Sequence, residues 1–201
     1  SKNKFFNFVN PPKEQLNSLL ELYQTGRDEE AEQLAVSLTK KFPNSQFGWK
    51  VLGVILFRSG RINDSLIVSQ KSVQLASQDA EAHSNLGNTL KKLGRLKEAE
   101  TSYNQAITLK PNYAKSHNNL GIILKELGRL DEAEVSYRKA IALNSEYAEA
   151  HNNLGATLKE LGRLSEAEAS YTEAITLKPD YTEAYNNLGN VLKEFGRLVE
   201  A

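Results

Sequence analysis

Glycine recurs at a fixed interval along this chain. Gly53, Gly87, Gly121, Gly155 and Gly189 lie 34 residues apart, and so do Gly60, Gly94, Gly128, Gly162 and Gly196. A period of that length makes the chain a tandem array of one supersecondary unit, which cannot bury its apolar face alone and stacks on copies of itself. In each unit the first glycine lies within one segment of helical apolar spacing, such as 114–127, and the second glycine precedes another, such as 130–143. Each unit reads as a helical hairpin.

The punctuation supports that reading. Gly94, Gly128 and Gly162 follow the first helix directly, where a left-handed C-terminal cap is least costly without a Cβ. Asn44, Asn112 and Asp180 precede the next first helix and are expected to cap its free N–H groups, while Pro43, Pro111 and Pro179 stop the helix before. Gly87, Ala99 and Ala106, repeated as Gly121, Ala133 and Ala140, let paired helices approach, with Leu86, Tyr103 and Leu109 filling the space around them.

That order of aromatic or His, Leu-Gly, Ala, Tyr, Ala and Pro resembles the tetratricopeptide repeat family. The resemblance implies an all-α fold, a right-handed superhelical solenoid of stacked antiparallel helix pairs. In the family's register, residues 1–11 form an aromatic tail, 12–45 a degenerate capping repeat, and 46–79 a divergent repeat. Repeats 80–113, 114–147 and 148–181 match best, and 182–201 is a partial unit. Repeat 46–79 keeps Trp49, Leu52, Gly53 and Gly60 but has Ser65, Ser69 and Ser72 where its neighbours have Ala, Tyr and Ala. In repeat 12–45, Leu16, Leu19, Leu20 and Tyr23 suggest a first helix turned by about one residue. The last unit stops inside its second helix and is expected to leave Leu188, Leu192 and Phe195 uncovered, so that the natural chain continues or a second molecule completes it.

Several functions are excluded or disfavoured. With 25 Lys+Arg against 25 Asp+Glu there is no charge excess to condense on nucleic acid or an anionic membrane. No cysteine means no disulfide, thiolate nucleophile or thiolate metal site. The longest apolar run, 52–57, is too short to cross a bilayer, and residues 1–9 lack the form of a signal peptide, which favours the cytoplasm. His83, His117 and His151 look like a metal set, but they recur at the position of Trp49 and Tyr185 and are read as packing residues. The glycine pairs fail the phosphate-loop spacing. The acidic pairs Glu98/Glu100, Glu132/Glu134 and Glu166/Glu168 suit the positive end of each second helix. No Ser–His–acid set converges, so the segment is read as non-catalytic, with no cofactor and no metal.

The first helices of such repeats line a concave face, and the family register puts repeat positions 2, 5, 6, 9, 12 and 13 on it. Position 6 is Asn85, Asn119, Asn153 and Asn187; position 5 adds Asn118, Asn152 and Asn186; position 9 adds Asn88 and Asn190. An amide both donates and accepts, so it can bond to a peptide backbone without reading its side chains. With helix layers roughly 9–10 Å apart and an extended peptide rising roughly 3.3 Å per residue, one asparagine would meet about every third ligand residue. At about 1 kcal/mol per contact the expected affinity is micromolar. The row resembles the asparagine ladder in the repeat domain of O-linked N-acetylglucosamine transferase, whose glycosyltransferase domain this chain lacks.

Three further readings complete the expectation. Lys50, Asn85 and Lys115 match part of the carboxylate clamp of chaperone-binding repeats, with Val54 and Asn119 departing from that pattern. Phe47, Val51, Val54 and Phe57 make an apolar groove patch, on which the tail residues Phe5, Phe6 and Phe8 could fold. The chain is therefore read as a module that binds a protein or peptide in extended conformation. The alternatives are the substrate-docking arm of a larger enzyme, as in bacterial arrays fused to glycosyltransferase-like domains, and a solenoid that self-associates through its open C-terminal end or its tail.

Overall fold

A computed structural model describes residues 10–196. Every regular element among the described residues is an α-helix. The expected all-α stack of antiparallel helix pairs is what forms, in two compact units divided between Arg95 and Leu96.

The first unit holds α1 (Lys13–Gln24), α2 (Asp28–Lys41), α3 (Gln46–Arg58), α4 (Ile62–Leu75) and α5 (Ala80–Lys92). Helix α2 packs on α1 and α3, α4 on α3 and α5, and the first helices α1, α3 and α5 touch in sequence. Leu19, Ala31, Ala35, Leu38, Leu52 and Ile55 form the centre of its core. The second unit holds α6 (Leu96–Leu109), α7 (Ala114–Glu126), α8 (Leu130–Leu143), α9 (Ala148–Glu160), α10 (Leu164–Leu177) and α11 (Thr182–Glu194). Here α7 pairs with α8 and α9 with α10, and α7, α9 and α11 adjoin along one side. Ala133, Tyr137, Ala140, Ala167, Tyr171 and Ala174 are buried at the pair contacts.

The glycines act as their spacing predicts. Gly128 has φ 76°, and the Gly128 and Arg129 N–H groups donate to the carbonyls of Lys125 and Leu124, closing the end of α7. The first glycine of the repeat permits close approach instead: a Cβ on Gly121 would lie 2.6 Å from the Tyr137 ring, and one on Gly155 2.8 Å from that of Tyr171.

The expected N-caps are not used. Tyr113 and Tyr181 occupy the positions before α7 and α11, Ser45 that before α3, and none caps through its side chain. Asn44, Asn112 and Asp180 stand one residue too early. The loop is held another way: His117 Nε2–H donates to the Pro111 carbonyl at 3.0 Å, and His83, His151 and Trp49 reach the carbonyls of Ser77, Ser145 and Pro43 in the same manner. Asp79 alone of these junctions caps by its side chain, accepting from the Glu81 and Ala82 N–H groups of α5.

At the end of the described residues Leu192 is buried, Leu188 half-buried and Phe195 exposed. The expectation that all three stay uncovered fails for Leu192, which lies on the helix that packs against α9 and α10. The tail residues Phe5, Phe6 and Phe8 and the final segment 197–201 lie outside the described residues.

Candidate functional site

The asparagines divide by position. In the second unit, Asn153 Nδ2 donates to Asn118 Oδ1 at 3.1 Å, and Asn187 Nδ2 donates to Asn152 Oδ1 at 3.0 Å. Each bond joins a position-6 amide to the position-5 amide of the repeat before. Asn152 also donates to Glu183 Oε1 at 3.1 Å and is only 1% exposed. Asn118 is buried as well, and both amides act on neighbouring phenols, Asn118 on Tyr147 and Asn152 on Tyr181. Burial raises the pKa of those phenols, that of Tyr181 to about 12, and the amides partly oppose the rise. Asn118 and Asn152 were expected on the open face; the structure turns them into the scaffold, because their amides fasten one repeat to the next.

Asn153 and Asn187 are half-buried, and each spends one N–H on its neighbour. An asparagine side chain has two donors and a two-lone-pair acceptor, so each keeps its Oδ1 and a second N–H for a ligand. Asn119 is buried and already has a partner. Asn186 and Asn190 are exposed on α11, and Lys115 is exposed on α7.

In the first unit the expected contacts fare differently. Lys50 Nζ donates to Asp79 Oδ2 at 3.1 Å and to Glu81 Oε2 at 2.8 Å, and Gln46 Nε2 donates to the same Asp79 oxygen at 2.7 Å. A lysine already neutralised by two carboxylates of its own chain does not suit a carboxylate clamp. Burial acts to lower the Lys50 pKa, but the bonds to Glu81 and Asp79 outweigh it and hold the ammonium above its ordinary range. Val51, expected on an exposed apolar stripe, is 7% exposed and belongs to the core, with Phe47 packed against that core. Val54 and Phe57 are half-buried and line a small cavity of ≈ 30 Å³ together with Gly53, Ser69, Asn85, Asn88 and Thr89.

Two features escaped the sequence reading. Arg129, the residue before α8, donates to Glu132 of that helix and, at 2.7 Å, to Glu100 of the repeat before; Arg163 repeats this with Glu166 and Glu134, and Arg61 reaches Glu32. The acidic pairs therefore bind arginines as well as facing helix N-termini. The signal was a Gly-Arg whose arginine follows a glutamate by 29 residues, at Arg61, Arg129 and Arg163, but not at Arg95, where Leu66 takes that place. The other is the Ser69 cavity, visible in sequence only as a missing tyrosine. No group of three or more His, Asp or Glu that could hold a metal occurs among the described residues. No helix of the described residues is long and apolar enough to cross a membrane.

Stacked hairpins with glycine-closed first helices and, in the second unit, a buried tyrosine over the first glycine of its own hairpin define a helical-repeat protein. Residues 87–128 and 121–162 match the TPR repeat model, and residues 148–181 match the tetratricopeptide repeat model. Residues 87–181 therefore carry the tetratricopeptide repeat pattern. Among solved structures it is similar in fold to PilF of Pseudomonas aeruginosa (TM-score 0.82, 18% identity, covering 92% of this chain and 84% of that one). It also resembles MamA (TM-score 0.71, 24% identity, 79% and 93% covered). YrrB, described as a TPR protein with an unusual peptide-binding site, has a TM-score of 0.70 at 20% identity, with 86% and 89% covered. No curated protein matches the chain in sequence.

Proposed function

We propose that this chain is a protein-interaction module that binds a polypeptide in extended conformation, with Asn153 and Asn187 as the principal contacts. One observation carries the reading: both amides are fixed by a bond to the preceding repeat while their Oδ1 and one N–H remain uncommitted. Fixing the side chain beforehand removes most of the rotamer entropy that a ligand contact would otherwise cost. Asn118 and Asn152 act as positioning residues, and Asn186 and Asn190, exposed on α11, extend the row. The peptide-binding site named for YrrB supports the reading by likeness of fold. No observation favours the docking-arm or self-association alternatives over it.

The test uses a fluorescein-labelled nonapeptide of alternating glutamine and glycine, which offers backbone and no charge. Each amide can make two bonds of about 1 kcal/mol net, so the Asn153→Ala/Asn187→Ala double variant is expected to weaken binding by tenfold or more. Circular dichroism checks that helicity is kept. Equal affinity for the two proteins in fluorescence anisotropy would refute the assignment.

A further inference from the structure

In α9 and α11 a glutamate stands four residues before the ligand-facing asparagine, Glu149 before Asn153 and Glu183 before Asn187, so on each helix the carboxylate and the amide share one face a turn apart. The scaffold ties the two together. Asn152 accepts from Asn187 Nδ2 at 3.0 Å and donates to Glu183 Oε1 at 3.1 Å, so one buried side chain sets the positions of both. Glu149 and Glu183 also stand beside equivalent phenols: next after burial, the charge of Glu149 raises the pKa of Tyr147, and that of Glu183 the pKa of Tyr181.

Most charges elsewhere on these first helices are already matched. Lys125 pairs with Glu160 at 2.9 Å and Lys159 with Glu194 at 2.8 Å, each bridging one first helix to the next. Glu183 has no ion pair among the described residues, so its second oxygen keeps a full charge to offer. Glu149 has only a loose pair, 3.8 Å from Lys178 with both side chains about half exposed, which is worth little. On α7 the sign changes: Lys115 takes the equivalent position, exposed and without an ion pair among the described residues. Along α7, α9 and α11 this edge of the amide row reads plus, minus, minus.

An amide row reads no side chains, but two carboxylates beside it do. Stacked helix layers lie roughly 9–10 Å apart. Three residues of polyproline II, at about 3.1 Å each, cover that distance and bring the side chain back to the same side of the peptide. Resting on the peptide-binding reading, we infer that the second unit selects an extended peptide with two basic residues three positions apart, one cation meeting Glu149 and the other Glu183. Asn153 and Asn187 hold the backbone between them, and Lys115 limits the basic pattern to two.

The test places lysine pairs in the glutamine–glycine nonapeptide at spacings of two, three and four, and compares affinities by fluorescence anisotropy at low ionic strength, where exposed ion pairs are least screened. Lys-x-x-Lys is expected to bind more tightly than the neutral host by roughly fivefold or more, and Glu-x-x-Glu less tightly than the host. The Glu149→Gln/Glu183→Gln double variant, which keeps an acceptor for Asn152, loses the lysine advantage. Glu149→Lys/Glu183→Lys transfers it to Glu-x-x-Glu, and Glu173→Gln, at an exposed position of α10, leaves it intact. Equal affinity for Lys-x-x-Lys and the host would overturn the proposal. So would a spacing of two as tight as three, or an advantage that survives the double glutamine variant. A neutral host that fails to bind removes the peptide-binding reading and the basic preference together, whereas a host that binds with no lysine advantage removes the preference alone.

Discussion

The same substitution at three equivalent glycines is expected to have opposite effects. Gly121, Gly155 and Gly189 each lie within a first helix, where replacing glycine by alanine gains roughly 0.5–1 kcal/mol of helix propensity. That gain is common to all three, so differences between the variants isolate packing. At Gly121 the new Cβ would stand 2.6 Å from the Tyr137 ring, and at Gly155 2.8 Å from the Tyr171 ring; at Gly189 it meets nothing within 4 Å. Tyr137 and Tyr171 are fully buried, so neither ring can swing aside, and overpacking of this kind costs about 1–3 kcal/mol. Gly189→Ala should therefore stabilise the protein, and Gly121→Ala and Gly155→Ala should lie about 1–3 kcal/mol below it. Gly53→Ala should fall between, because the Cβ there meets the Ser69 hydroxyl, which can rotate. Parallel urea melts followed by circular dichroism give the ranking, and amide exchange in α7 and α9 gives the local stability where stacked repeats unfold in parts. A Gly121→Ala protein as stable as Gly189→Ala would refute the close-approach argument.

Two predictions concern pH. Burial acts to raise the Asp79 pKa, but the bonds from Gln46 and Lys50, the Lys50 charge and the Ala82 N–H outweigh it, so the folded carboxyl sits below its ordinary 3.8. A depressed folded pKa gives stability that is present above the unfolded value and lost as pH falls through the folded one, so the acid limb of the stability curve should flatten in Asp79→Asn; an unchanged limb would remove Asp79 from the account. Burial pushes the phenols of Tyr103, Tyr137 and Tyr171 well above the ordinary 10.0. A raised folded pKa gives stability that is full below 10.0 and lost above it, so in an alkaline absorbance titration these three should ionise only as helicity is lost, and eight tyrosines titrating together in the folded protein would contradict their burial.

The fold was legible because its determinants lie within one repeat. Gly128 at positive φ, Tyr137 over Gly121 and Ala133 at a helix contact each follow from an interval of fewer than 34 residues, and periodicity makes every such interval visible several times. The partners of polar side chains were not legible, because they cross from one repeat to the next. Position 5 and position 6 are adjacent in sequence and look equally exposed on a helical wheel. Only the stacking of α7 on α9 brings Asn153 to Asn118 across 35 residues and turns one amide inward while the other keeps bonding capacity. Lys50 was misread for the same reason, since Asp79 and Glu81 belong to the following junction. The unused caps have a local cause: the loop residues Pro111 and Ser145 are tied back by His117 and His151, so the turn is set before Asn112 or its equivalents can reach an N–H.

The divergent hairpin gains meaning from what its serines do. Replacing Ala, Tyr and Ala by three serines gives up one aromatic ring at a site that elsewhere is fully buried, a loss of the size that costs several kcal/mol in a core. Two of the hydroxyls partly offset it with bonds worth about 0.5–1.5 kcal/mol each, Ser65 to Gly53 and Ser72 to Gln46. Those bonds also tie α4 to α3 at both ends of the hairpin and, through Gln46 and Asp79, to the start of α5. A repeat that was merely eroding would leave all three hydroxyls unanswered or lose its register. Here α3 and α4 keep their lengths, the flanking hydroxyls are satisfied, and Ser69 lines the small cavity. That combination fits a hairpin whose stability has been rebuilt around an opening better than one that has drifted toward unfolding.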